Sequence, residues 1–326
     1  MAILVTGGTG FIGAAVVREL LSRGEHEVTV FHRSGATWRL DDVADQVRFI
    51  QGDLGNFSHL LDATKQCRPS AIYHFGAMLS VASDRDPAAA MQANVNGTFN
   101  VLEAARIMDV PQVLFASSIG TYGADLDRDQ LDDLTLQRPL SFYGSAKLFG
   151  ENMGNFYRQR YGLDFRGIRF PGVAGAGVRN PGMAQFHSWM VEESAFGRPF
   201  IADVAEHTRV PLVYVKDAAQ GVVQLAAAPV EQLHKFNYLI SGVPPTMTAR
   251  ELADLVRARV PGAQISFNPE PARQQLLEKM IKPIDDRFAR QEWGWSPQYD
   301  GAAFVDDILL ELKTHPGRFS NHYRGK

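Results

Sequence analysis

Short apolar runs recur at residues 2–6, 27–32, 47–50, 71–75, 112–116 and 164–170, each bounded by turn formers, and most intervening stretches carry apolar positions at helical spacing. That alternation predicts repeated strand and helix units, and so a parallel sheet. Ile72-Tyr73-His74-Phe75 and Leu114-Phe115-Ala116 are nearly continuous instead of alternating, as strands buried on both faces are. After Pro171 the pattern changes. Gly172, Gly175, Gly177, Pro181 and Gly182 interrupt it, and a helix-like stretch at 183–196, a strand at 210–214 and a helix at 216–228 follow. Thr248, with Glu251 three residues on, reads as a capping box opening a helix over 248–260. From residue 314 the periodicity stops, and 314–326 is expected to be a mobile tail.

The first run feeds directly into Thr6-Gly7-Gly8-Thr9-Gly10-Phe11-Ile12-Gly13, with Gly7, Gly10 and Gly13 spaced three apart between a strand and a helix over 14–23. This is the pattern of a dinucleotide cradle. Gly7 permits the tight turn, Gly10 lets backbone approach a pyrophosphate, and Gly13 lets the helix pack on the strand while its amino end, at Phe11 and Ile12, faces the phosphates. The architecture expected is α/β, a doubly wound parallel sheet (Rossmann) with a smaller C-terminal substrate-binding lobe. Residues 1–170, with 211–242 returning, would form the nucleotide domain, and 171–210 with 243–313 the lobe.

Composition narrows the class. A chain of 326 residues with 45% hydrophobic and 21% charged residues and a net charge of -3 is ordinary globular protein, with no basic excess for nucleic acid. The single Cys67 excludes an intramolecular disulfide and a cysteine metal cluster. No apolar run is long enough for a bilayer, and no leader precedes the first strand, so neither membrane nor export is expected and the cytoplasm is. His74, His187 and His207 lack ligand spacing. The pairs Asp132-Asp133, Asp285-Asp286 and Asp306-Asp307 read as solvated turns or helix caps, so no metal is expected.

Candidate chemistry lies in Tyr143-Gly144-Ser145-Ala146-Lys147, which puts a phenol and an ammonium four residues apart on one face of a helix running through Phe156. A phenol near its ordinary pKa of about 10 exchanges protons poorly at neutral pH unless a positive charge stabilises its anion. Lys147, or an oxidised nicotinamide, could supply that charge. Ala116-Ser117-Ser118 ends a central strand at the edge where such sheets bind ligands, so Ser118 could bond a reacting oxygen.

With these motifs on one chain, the sequence resembles the extended short-chain dehydrogenase/reductase family of epimerase/dehydratase type. The resemblance implies Tyr143 as general acid/base, Lys147 as its pKa modulator and ribose ligand, and Ser118 as the group orienting the substrate oxygen. It also implies Asp53, with Leu54, as an adenine contact, Phe75-Gly76-Ala77 as a turn lining the cofactor, and Asn94 as the central-helix asparagine. Phe170, Pro171 and Val173 would complete the cofactor wall. Read from the residues alone, Asp53 could instead cap a turn and Asn94 satisfy buried backbone groups.

Met78-Leu79-Ser80, Arg138-Pro139, Arg169-Phe170-Pro171-Gly172-Val173, Ile284-Asp285-Asp286 and Trp293-Gly294-Trp295 are similar to the short-chain L-threonine 3-dehydrogenase branch. Nucleotide-sugar epimerases carry Asn where Gly172 stands here. An alcohol/ketone redox reaction is therefore expected, with an epimerase or dehydratase holding tightly bound NAD as the alternative. Leu79, Ser80, Ser118, Ile119, Gly120, Tyr143, Gly172, Met183 and Arg209 are the candidate substrate contacts. The branch's paired threonines are missing from 179–185, and Met183, Phe186 and Trp189 suggest a less polar substrate, unless Phe186, Trp189 and Met190 are a helix's core stripe.

NAD users place a carboxylate at the end of the second strand, but this one ends His32-Arg33-Ser34. Those three residues could surround a 2′-phosphate, which favours NADP. Alternatively Arg33 is solvated and NAD is held elsewhere. The resemblance also implies a homodimer through helices near 88–108 and 144–161, where Ala88, Ala89, Ala90, Ala104, Ala105, Phe149, Phe156 and Tyr157 would either cover an interface or pack on the sheet.

Overall fold

Each of the six apolar runs becomes a strand in the computed structural model, which describes residues 1–34, 36–126, 128–180, 182 and 185–320. In chain order the elements are β1 (Ile3–Thr6), α1 (Phe11–Ser22), β2 (Val28–His32), β3 (Val47–Gln51), α2 (Phe57–Cys67), β4 (Ala71–His74), α3 (Ser80–Arg85) and α4 (Pro87–Ala90). A π-helical turn, Met91–Asn96, leads into α5 (Gly97–Ile107), followed by β5 (Gln112–Ser118), α6 (Phe142–Tyr161) and β6 (Asp164–Phe170).

The sheet order is Asn237–Leu239, β6, β5, β4, β1, β2, β3, and every pair is parallel. The order in which the chain adds strands switches sides across the β1/β4 boundary, with β2 and β3 on one side and β4 to β6 on the other, which opens the crevice where such sheets bind ligands. Val16, Val17 and Leu20 of α1 pack with Val222 and Ala218 of the helix Val215–Ala227 on one face. Leu60 of α2, Val101 and Ala105 of α5 and Tyr157 of α6 cover the other. Leu4, Val5, Ile72 and Val113 between them are almost wholly buried, which explains their unbroken apolar runs.

A second core joins the helices Phe186–Ala195, Ala249–Arg259 and Gly301–Thr314 into a smaller lobe. Thr248 and Glu251 form the expected capping box. The strand read at 210–214 is shorter, Leu212–Tyr214, and pairs with Gly172–Ala174 instead of the main sheet. The returning strand is Asn237–Leu239. The tail from 314 also differs from expectation: Pro316–Ser320 is helical, and Phe319 is buried against Gly177. Two of the acid pairs are far from solvated. Asp132 and Asp286 are buried, and Asp286 accepts from the Trp295 indole at 3.0 Å. Among the described residues no helix is long and apolar enough to cross a membrane.

Candidate active site

The glycine turn has the shape the sequence demands. Gly7 has φ +69° and lies so close to the 75–76 turn that a Cβ would stand 2.6 Å from the Gly76 nitrogen. At Gly13 a Cβ would come within 2.9 Å of the Gly8 Cα, so α1 could not start this close to β1 with any side chain there. The helix is capped by Gly10 without a side-chain hydrogen bond and has no acid in its first turn. Its first amides, at Phe11, Ile12 and Gly13, therefore suit an anion such as a pyrophosphate.

Around this cradle lie the other candidate cofactor contacts. His32 is buried and its Nδ1 is bonded to the Ser34 carbonyl, while Arg33 and Ser34 are exposed and Arg33 forms no ion pair among the described residues. Asp53 accepts from the Gly55 amide at 2.8 Å, the turn-capping geometry, and Asn100 holds the Leu54 carbonyl at 2.7 Å. Leu54 packs against Gly76, which joins that turn to Phe75-Gly76-Ala77. Asn94 sits in the π-helical turn and clamps Met78, accepting from its amide at 2.7 Å and donating to its carbonyl at 2.9 Å. It thus fixes the path of the loop that carries Ala77, Leu79 and Ser80. Phe170 and Pro171 are buried at the end of β6, with Gly172 and Val173 partly exposed beyond them.

Tyr143 and Lys147 occupy the first turns of α6, whose N-cap Ser141 accepts from the Gly144 amide at 3.0 Å. Ser118 ends β5 and caps the following turn through Gly120, at 3.0 Å, with Ile119 between them. Gly144 permits these elements to meet, because a Cβ there would lie 2.9 Å from both the Gly120 carbonyl carbon and Pro139 Cβ. The Lys147 ammonium is 4.8 Å from the Phe115 ring and 5.7 Å from the Tyr143 ring, and within the described residues it makes no ion pair or hydrogen bond. Burial raises the Tyr143 phenol to about 12, against the pull of the Ser118 hydroxyl. Burial lowers Lys147 to about 8, against the support of the Glu151 carboxylate.

Behind them His74 is buried between Thr6, at 2.7 Å from Nδ1, and Thr98, at 3.1 Å from Nε2. Thr98 donates its own proton to the Asn94 carbonyl, which assigns the hydrogen of His74 to Nε2. Burial, helped by the charge of Lys147, holds the imidazole neutral down to about 3.

Some candidates lie elsewhere. Arg209 is half exposed and bonds Glu251 at 3.2 and 3.3 Å and the Thr246 carbonyl. Met183 falls outside the described residues. Phe186 and Met190 are buried in the second core, and Trp189 packs against it with its indole on the Val178 carbonyl, at 3.0 Å. They form the core stripe, so the inference of a less polar substrate loses their support. Glu151 and Arg169 were missed as a pair. The available signal was spacing, since Glu151 follows Lys147 by the same four residues that separate Lys147 from Tyr143.

A doubly wound sheet whose glycine cradle faces a Ser, Tyr and Lys set defines a nicotinamide-dependent enzyme of the extended short-chain dehydrogenase/reductase type. The chain belongs to the NAD dependent epimerase/dehydratase family, whose pattern matches residues 3–241. It is 30% identical over 309 residues to a mitochondrial L-threonine 3-dehydrogenase of Bos taurus, covering 94% of this chain and 81% of that one. The structure of L-threonine dehydrogenase from Clostridium difficile superposes with a TM-score of 0.88 at 27% identity, covering 98% of each chain. A Thermus thermophilus UDP-glucose 4-epimerase in complex with NAD superposes at 0.80 and 27% identity, over 95% of this chain and 99% of that one. The protein is an NAD(P)-dependent oxidoreductase of this family.

Proposed function

We propose that the enzyme interconverts a small secondary alcohol and its ketone, with NADP preferred over NAD. The carrying observation is the meeting of Ser118 and Tyr143 with a Lys147 that has no ion pair among the described residues, in a sheet that also carries the glycine cradle. A bound nicotinamide would supply the hydride acceptor or donor. The protein's part is proton chemistry and orientation. Tyr143 moves the hydroxyl proton, Lys147 lowers the cost of the phenolate, and Ser118 bonds the oxygen as its charge develops. L-Threonine is the first compound to assay, because dehydrogenases acting on it are among the relatives. Absorbance at 340 nm with L-threonine and a panel of small secondary alcohols reads the activity. Tyr143→Phe is expected to cut turnover by about 10²–10⁴ while cofactor still binds, and full activity in that variant overturns the mechanism. Tightly retained cofactor and turnover of a nucleotide sugar without net absorbance change would favour epimerase chemistry.

The NADP preference rests on the exposed Arg33 and Ser34 and on a β2 end without a carboxylate. Titration with NADPH and NADH, following energy transfer from protein to nicotinamide, is expected to show tighter NADPH binding that is lost in Arg33→Ala. Equal or tighter NADH binding refutes it. A homodimer is supported by Met91, Phe99, Ile107, Phe156 and Tyr161, each more than 40% exposed on the 91–161 helices. Ala90, Ala104, Ala105 and Tyr157 are buried within the protomer and cannot serve as its contacts. Light scattering that reports a monomer at assay concentration rules the dimer out.

A further inference from the structure

One turn beyond Lys147, α6 carries a carboxylate that is held from several sides. Glu151 is 1% exposed and takes a two-pronged contact from Arg169 of β6, Nε to Oε1 at 2.9 Å and Nη2 to Oε2 at 2.8 Å. Ser117 of β5 donates to Oε1, and Gln137 donates to Oε2 at 3.0 Å. Arg169 is in turn fixed by Tyr122 at 3.2 Å, by the Gln137 side-chain amide oxygen Oε1 at 3.3 Å and by Asp133 at 3.7 Å. Glu151, Arg169, Ser117 and Tyr122 are all buried, where a lone carboxylate would be too costly to keep.

A glutamate four residues after a lysine on a helix ordinarily pairs with it. Here Lys147 has no ion pair among the described residues, and the carboxylate faces Arg169 instead. We propose that Glu151 and Arg169 are positioning residues for Lys147: the clamped carboxylate supplies negative potential that keeps the ammonium charged, and Arg169 prevents it from capturing that ammonium. Lys147 is thereby left to reach toward Tyr143 and a bound ribose. Ser117 adds a mechanical link, since its bond to Glu151 ties the end of β5, and so Ser118, to α6. The other titratable groups around Lys147 are Tyr143 on its own helix and His74 from β4, with Asp133 and Tyr122 behind Arg169.

This inference builds on the proposed proton chemistry, but its test needs no turnover. Lysine labelled with ¹³C at Cε is followed by NMR across pH in the cofactor-free protein. The chain has eight lysines, and Lys147→Met assigns the signal. Glu151→Gln is expected to lower the Lys147 midpoint by about one pH unit, and Arg169→Gln to raise it by a similar amount, as removal of opposite nearby charges requires. If neither charge variant folds, Ser117→Ala loosens the carboxylate without burying an unpaired charge, and the midpoint is expected to rise. Midpoints that stay put, or that move the same way in both charge variants, overturn the proposal and leave the cluster a purely structural one. Absence of alcohol oxidation in the parent protein would instead count against the proposed function, without touching this result.

Discussion

Gly144→Ala places the meeting of β5 and α6 under direct strain. The added methyl would sit 2.9 Å from the Gly120 carbonyl carbon and from Pro139 Cβ, and closer still to the Gly120 oxygen. Carbon atoms rest at about 3.5–4.0 Å, so these contacts require a separation of roughly 1 Å between the start of α6 and the 118–120 turn. Overpacking of this kind costs about 1–3 kcal/mol of stability, partly offset by up to about 1 kcal/mol from the helix preference of Ala over Gly. The larger effect is on chemistry. A displacement of about 1 Å between Ser118 and Tyr143 is expected to lower kcat about 100-fold, or about 2.7 kcal/mol of barrier. Cofactor affinity should fall much less than kcat, because the Gly7 to Gly13 turn is untouched. The assay compares kcat, nicotinamide titration and melting temperature with those of Ser145→Ala, whose exposed side chain serves as control. A kcat within twofold of the parent, or a parallel loss of cofactor binding, would refute the claim that Gly144 spaces the catalytic groups.

Three further outcomes follow from buried groups. His74 has a folded pKa of about 3 against an unfolded value near 6.5, so its contribution is complete above pH 6.5 and is lost as pH falls toward 3, by about 5 kcal/mol in all; urea unfolding of His74→Gln at pH 4, 5 and 7 should show a flatter acid dependence, and an unchanged slope counts against it. Lys147, lowered to about 8 from 10.5, destabilises the cofactor-free fold below pH 8, and that penalty disappears as pH rises from 8 to 10.5. Lys147→Met should therefore be more stable at pH 7 by about 3 kcal/mol, with a gap that closes by pH 10; a gap independent of pH defeats the argument. Asn94→Ala strips the Met78 amide and carbonyl of their partners at about 1–3 kcal/mol each, and should weaken cofactor binding by loosening the 75–80 loop; a cofactor Kd unchanged within twofold would contradict that.

The strands β1, β2, β4, β5 and β6 were legible because burial on both faces leaves a run of apolar residues that no turn interrupts, and the half-buried edge strand β3 because Val47, Phe49 and Ile50 keep enough of that run. The strands Gly172–Ala174, Phe200–Ala202, Asn237–Leu239 and Ile265–Phe267 were not, since a three-residue strand carries no period to read. The site shows the same division. Gly7, Ser118, Tyr143 and Lys147 announce themselves because each performs a task few residue types can. Arg209 shows the limit, because its sequence neighbourhood does not reveal the pairing with Glu251 that the structure gives it. Asp133 and Asp286 were read as solvated because their buried partners, Arg169 and Trp295, are distant or unpatterned in sequence.

The parallel sheet has a consequence for how the chain can be divided. Strand β6 ends at Phe170, yet its outer neighbour begins only at Asn237, and between them run the Gly172–Ala174 strand, the Phe186–Ala195 helix and the Val215–Ala227 helix that covers α1. A chain halted at residue 170 would present β6 as an open edge and α1 without its cover, both invitations to association with other chains. The nucleotide half is therefore no detachable module. During synthesis the edge of β6 and the outer face of α1 stay uncovered until the segment that also builds part of the smaller lobe has been made.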